Sequence, residues 1–159
     1  MNKIQIQLIR ELQHGIKLER RPFMRLARDL GLTEEQVIEQ MKTWQTEGVI
    51  RRIGISVRPE RMGYTTNAII AWAVPEERLE EVGTGLSRVK EISHCYEREC
   101  PPGWPYNIYT MVHAKSPEHL QELIEQQKQQ LGLEKFKVFA TVKELKKTSM
   151  RYFSEATPL

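Results

Sequence analysis

The stretch LARDLGLTEEQV, residues 26–37, decides the first half of the fold. Leu26, Ala27 and Leu30 recur at helical spacing, and Gly31 stops the run. Thr33 is then placed as an N-cap, and Gln36 three residues later completes a capping box that opens the next helix. Two helices joined by so short a turn make a helix-turn-helix. Upstream, Ile4, Leu8, Ile9 and Leu12 mark a first helix ending at His14-Gly15, and Arg21-Pro22 opens the helix that holds Leu26. Downstream, the third helix turns Val37, Met41 and Trp44 inward and stops at Gly48. VIRRIGISV, residues 49–57, then alternates as a strand or wing and ends at Arg58-Pro59. The pattern predicts a winged helix-turn-helix over residues 1–62.

Residues 63–159 follow a different rhythm. A strand is expected over 66–74, then a helix starting at Pro75-Glu76-Glu77 with Leu79, Val82 and Leu86 inward. A second strand covers 90–99 and a third 106–114. Between them Pro101, Pro102 and Pro105 lack the amide donors of a central strand. Ser116-Pro117 caps a helix carrying Leu120, Leu123, Ile124 and Gln127. A fourth strand is expected over 136–142 and a short basic helix over 144–152. The order β-α-β-β-α-β is ferredoxin-like, so the fold class is α+β. Such a sheet has helices on one face only, and its other face should bury against a partner, which predicts a dimer.

Composition is that of a globular protein, 40% hydrophobic and 28% charged. The longest uncharged apolar run, Tyr64 to Val74, is far too short to span a membrane, and the N-terminus has no signal-peptide pattern. Cys95 and Cys100 have no CxxC spacing and imply no disulfide framework, which fits a reducing cytoplasm. Residues 1–63 hold 12 Lys/Arg against 8 Asp/Glu, a mild excess rather than a dense basic face. Between Thr33 and Glu47 stand Glu34, Glu35, Glu39 and Glu47 against Lys42 alone. Acids in a recognition helix are repelled by the phosphate chains, which argues against DNA reading. Arg20, Arg21, Arg25 and Arg28 in the preceding segment could still touch phosphate.

Chemistry concentrates on HCYER, residues 94–98, and the strand after it. Period-two alternation puts His94, Tyr96 and Arg98 on one face, with Ser93, Cys95 and Glu97 on the other. A histidine, a phenol and a guanidinium in a row supply a proton donor, a hydrogen-bond donor and a bidentate carboxylate clamp. Asn107, Tyr109, Met111 and His113 likewise fall on one side of the following strand. Read without further context, His94 and Tyr96 suit satisfied interface residues, and Arg98 a solvated edge charge, better than a catalytic row. Cys95 reads as a small core residue.

The winged helix-turn-helix joined to a βαββαβ domain resembles the Lrp/AsnC regulators over nearly the whole chain. HCYER, followed by PPGWPYNIYTMVHA at 101–114, resembles a narrower branch, the siroheme decarboxylases of the alternative haem pathway, as does RRIGISVRPERMGY at 51–64. The WPYN form is similar to the second of the two related subunits of that heterodimeric enzyme. The resemblance implies loss of CO2 from the acetate side chains on rings C and D of siroheme, giving didecarboxysiroheme. It implies a homologous second subunit as partner and no cofactor beyond the iron tetrapyrrole substrate, with a haem bound as feedback as a further ligand it allows.

A many-carboxylate macrocycle needs arginine clamps and aromatic walls. Arg51, Arg52, Arg58 and Arg98, with Tyr64, Trp104, Tyr106 and Asn107, are the residues of those types. His94 is the candidate general acid, since imidazole titrates near neutrality, and Tyr96 a second donor or an orienting group. His113 is open between an axial ligand to the iron, a second proton donor and a wet-rim histidine. The competing reading is a transcription regulator whose second domain senses an amino acid or a haem.

Overall fold

The computed structural model describes residues 1–55 and 57–153. Two compact units form, Met1–Ile55 with the described part of the segment from Lys146, and Ser56–Leu145.

In the first unit, helix α1 spans Lys3–Leu12 and opens on a capping box between Asn2 and Gln5. It buries Ile6 and Leu8, while Ile4, expected inward, is 43% exposed. Helix α2, Met24–Asp29, starts two residues after Pro22. Helix α3, Glu34–Thr46, has the expected capping box: the Gln36 amide donates to Thr33 Oγ1 at 3.2 Å, and the Thr33 amide to Gln36 Oε1 at 2.9 Å. Leu8, Ala27, Val37, Met41 and Trp44 form this unit's core.

Two expectations fail. Residues 51–55 and 57 form no strand, and Ser56 lies outside the described residues. A lone strand leaves its amides and carbonyls unpaired, so without a partner strand the alternating run stays irregular. Residues 144–150 form no helix. The segment KELKKTSM has no apolar face to bury, and Leu145 and Met150 are exposed, so helix nucleation goes uncompensated. Its end belongs with the first unit instead of the second. The Gln13 side chain brackets Tyr152, accepting from its amide at 2.6 Å and donating to its carbonyl at 3.1 Å.

The second unit is a four-stranded antiparallel sheet in the order β2-β3-β1-β4, with β1 Thr66–Trp72, β2 Ile92–Glu97, β3 Ile108–Ala114 and β4 Phe136–Ala140. This is the ferredoxin-like order the element sequence predicted. Helices α4, Leu79–Ser87, and α5, Pro117–Leu131, cover one face. Ala68, Ile70 and Trp72 of β1 and Ile108, Val112 and Ala114 of β3 meet Val82, Leu86, Leu120, Leu123 and Ile124 there. At Gly85 a Cβ would lie 2.8 Å from Leu131 Cδ2, so α4 and α5 approach closely there and a side chain would need Leu131 to shift. A buried polar pair in this layer is matched: the Trp72 indole N–H donates to Thr110 Oγ1 at 3.0 Å.

Replacing that hydroxyl by an equal-sized methyl, Thr110→Val, strands a buried indole N–H. Urea unfolding should show a loss of about 1–3 kcal/mol; an unchanged midpoint contradicts the role given to this pair.

Candidate functional site

On β3 every second residue is buried, from Ile108 to Ala114, and the residues between them face away from the helices. Tyr109, Met111 and His113 thus belong to the outer face, together with Asn67 and Ile69 of β1, opposite His113 and Met111 in the register. On β2, His94 pairs with Met111 and Tyr96 with Tyr109. The His94 and Tyr96 rings stack 5.9 Å apart, and the Arg98 guanidinium lies 5.6 Å over the Tyr96 ring. The expected His94, Tyr96, Arg98 row therefore stands on the open side of the sheet.

Ser93 does not take the opposite side. The ladder shifts register between Ile92 and His94. Ile92 and Cys95 both pack against the helix-side core, so the two residues between them are both left outward. A bulge of this kind inserts one residue and resets the alternation. As a result Ser93 Oγ lies 2.9 Å from His94 Nδ1 and 2.8 Å from His113 Nε2, with the Met111 carbonyl at 3.5 Å. His113 Nδ1 lies 3.1 Å from Asn67 Oδ1. That amide oxygen only accepts, so His113 carries a proton on Nδ1. Both ring nitrogens of His113 thus have hydrogen-bond partners on neighbouring strands. His94 Nε2 has no partner among the described residues.

The Pro-rich loop supplies the aromatic wall. Trp104 Nε1 donates to Tyr109 Oη at 2.7 Å, and Tyr109 Oη donates to the Tyr106 carbonyl at 3.0 Å. The indole meets Tyr106 edge-on at 5.0 Å and Phe139 of β4 at 6.4 Å. Lys137 Nζ sits 4.9 Å over the Trp104 ring, within cation–π range. Lys137 and Phe139 escaped the sequence reading; a charge and a ring alternating on the fourth strand were the available signal. Among the described residues neither Lys137 nor Arg98 pairs with a carboxylate. No Asp or Glu occupies the outward positions of β1, β3 or β4. The face is cationic and aromatic.

Other expected site residues fall elsewhere. Asn107 is a structural lock, since its amide accepts from Val74 N at 2.9 Å and donates to Val74 O at 2.7 Å; it lies just before β3, off the outer-face row. Tyr106 is buried under Trp104. Tyr64 is half-buried and follows the short 3-10 turn Pro59–Met62, which Arg58 precedes. Arg51 and Arg52 are exposed in the first unit. Arg52 borders an apolar cleft of about 630 Å³ there, with Ile9, Leu12, Ile16, Val49 and Ile53. His94, Tyr96 and Lys137 are exposed, so the row lies on an open face of this unit.

Glu34 also differs from its reading as a surface acid. It is buried, pairs with Arg21 Nε at 2.6 Å and accepts from the Phe23 amide at 3.2 Å. It ties the start of α3 to the entry of α2, leaving Glu35, Glu39 and Glu47 as the exposed acids of that segment.

Comparison with known proteins assigns both parts. The family model "Siroheme decarboxylase NirDL-like HTH domain" matches residues 5–51, and "AsnC-like ligand binding domain" matches 61–146. The siroheme decarboxylase beta subunit of Methanosarcina barkeri is 36% identical over 151 residues, covering 95% of this chain and 99% of the relative. The crystal structure of the siroheme decarboxylase NirDL in complex with an iron-uroporphyrin III analogue aligns with a TM-score of 0.70 at 32% identity. That alignment covers 98% of this chain, which spans only 48% of the NirDL chain. Escherichia coli AsnC aligns over 95% of this chain with a TM-score of 0.79 at 16% identity, a likeness of fold alone. Among the described residues no helix is long and apolar enough to cross a membrane.

Burial raises the Cys95 thiol above the usual cysteine range, while Cys100 is exposed. Titration with an aromatic disulfide reagent near neutrality should show one fast thiol, Cys100, and one slow one, because the thiolate is the reacting form. Two equally fast thiols contradict the placement of Cys95 against the core.

Proposed function

The chain belongs to the siroheme decarboxylase family, and from that membership we propose that it works as the second-type subunit of a heterodimeric siroheme decarboxylase in the cytoplasm. It removes CO2 from the acetate groups on rings C and D of siroheme, giving didecarboxysiroheme. The observation that carries this reading is the carboxylate-free outer face, where His94, Tyr96, Arg98 and Lys137 stand beside the Trp104 wall.

Siroheme is a flat polyanion. Arg98 and Lys137 give that face charges for its carboxylates, and the stacked aromatic rings suit the plane of the macrocycle. Arg58, not ion-paired among the described residues, is a further carboxylate contact in this reading. An open sheet face buries only one side of a large ring, and the homologous partner subunit supplies the other wall. Siroheme is the only tetrapyrrole the reaction requires.

The chemistry needs position and one proton for each CO2. As the C–C bond breaks, its electron pair stays on the methylene carbon and spreads into the conjugated macrocycle, so no separate organic electron sink is required. His94 Nε2, turned to the open face, returns the proton to that carbon. Tyr96, stacked on the imidazole, orients it. Cationic groups grip the neighbouring carboxylates while the reacting one meets the aromatic wall, where loss of its hydration favours departure of CO2. In this reading His113 serves the proton chemistry, held by Ser93 and Asn67 at its two nitrogens.

Anaerobic incubation of the purified heterodimer with siroheme should yield a product lighter by two CO2; an unchanged substrate mass refutes the reading. His94→Ala should slow turnover by roughly 10²–10⁴-fold, the usual contribution of a general acid, while the tetrapyrrole still binds. Full turnover in that variant removes His94 from the acid role.

A further inference from the structure

We propose that Ser93 is a positioning residue that joins His94 and His113 into one proton-sharing unit anchored by Asn67, so that the acid of the reaction is the pair and not His94 alone. This rests on the decarboxylase reading above and assigns a function to a hydroxyl and an amide which that reading leaves unused.

The geometry is a continuous row: Asn67 Oδ1, His113 Nδ1 at 3.1 Å, His113 Nε2, Ser93 Oγ at 2.8 Å, and His94 Nδ1 at 2.9 Å from that hydroxyl. The row spans three strands of the sheet, and it exists because the bulge at Ile92/His94 turns Ser93 outward. Asn67 fixes one end, since its acceptor oxygen requires a proton on His113 Nδ1 throughout. A serine hydroxyl both donates and accepts, so the middle of the row can run either way.

In one arrangement Ser93 donates to His113 Nε2 and accepts from His94 Nδ1–H, and the extra proton makes His94 an imidazolium. In the other, His113 is the imidazolium, its Nε2–H donates to Ser93, Ser93 donates to His94 Nδ1, and His94 holds its proton on Nε2. Both arrangements contain the same number of protons, and every hydrogen bond is kept. The difference matters because a neutral imidazole is a poor acid. Its Nε2–H is released readily only if Nδ1 gains a proton at the same moment.

The row supplies that proton. As CO2 leaves, the methylene carbon uses the electron pair of the broken C–C bond to take the proton from His94 Nε2. His94 Nδ1 takes the Ser93 hydroxyl proton, and Ser93 Oγ takes the proton from His113 Nε2. The imidazolium becomes neutral, neither ring becomes an anion, and water restores the lost proton after product departs. The Met111 carbonyl, at 3.5 Å from Ser93 Oγ, is a longer and competing acceptor, so the histidine nitrogens hold the hydroxyl.

The test is turnover of siroheme by the heterodimer in mixtures of light and heavy water, with siroheme affinity read by absorbance for each variant. For the wild type, rate against deuterium fraction should be curved, as several protons move in one step. Ser93→Ala should be at least roughly tenfold slower, a part of the 10²–10⁴ that general acid catalysis contributes, with a straight isotope plot and siroheme affinity within a few-fold of wild type. Ser93→Thr keeps the hydroxyl and should recover both rate and curvature. Asn67→Ala, on a different strand, should reproduce the loss without touching Ser93. A straight wild-type plot, an Ala variant as fast as wild type, or a Thr variant as slow as Ala overturns the shared-proton unit while leaving the decarboxylase reading intact. A wild-type heterodimer that releases no CO2 fails the decarboxylase reading instead.

Discussion

The second unit depends on a sheet that is covered by helices on one face only. Apolar burial against α4 and α5 sorts every strand residue into one of two environments. Ile108, Thr110, Val112 and Ala114 go inward as core, and Tyr109, Met111 and His113 are left outward by the same pleat. No separate device has to present Tyr109, Met111 and His113. The inward residues hold the register, and the register then places His94 beside Met111 and Tyr96 beside Tyr109. A one-residue slip on β3 would exchange the two faces, sending a histidine into the core.

How much of this could be read from residues alone depends on whether the cause was local. The capping box at Thr33 and Gln36 and the Ser116 cap lie within one turn of their helices, and both appear as written. The shared face of His94, Tyr96 and Arg98 needed only period two. Ser93 needed more, since a bulge is a mismatch between two strands and no single strand displays it. Asn107 departs from the alternation for a related reason: it lies one residue before β3 begins, where its amide closes on Val74. Lys137 and Phe139 reach Trp104 only through the pairing of β4 with β1. The wing was expected from an alternation that found no partner strand, and the basic helix from a segment with no apolar face.

Charge counting along the third helix met a similar limit. Glu34 looks like one of several surface acids, yet burial and the Arg21 guanidinium turn it into a tether between α2 and α3. The exposed surplus of Glu35, Glu39 and Glu47 still sets this segment apart from a groove-reading helix. Fold likeness to AsnC therefore reflects a common scaffold, whereas the proposed chemistry rests on particular side chains on the sheet. That scaffold leaves one face of the sheet without helices, and two copies or two homologues can close a site neither completes alone.

The most direct measurement is an experimental structure of the heterodimer with siroheme bound. The account predicts the macrocycle against the outer face of β2 and β3, with His94 Nε2 within hydrogen-bond reach of an acetate-bearing methylene and Arg98 on a neighbouring carboxylate. A ring seated elsewhere, such as the apolar cleft of the first unit, with His94 sealed against the partner's backbone, would contradict it.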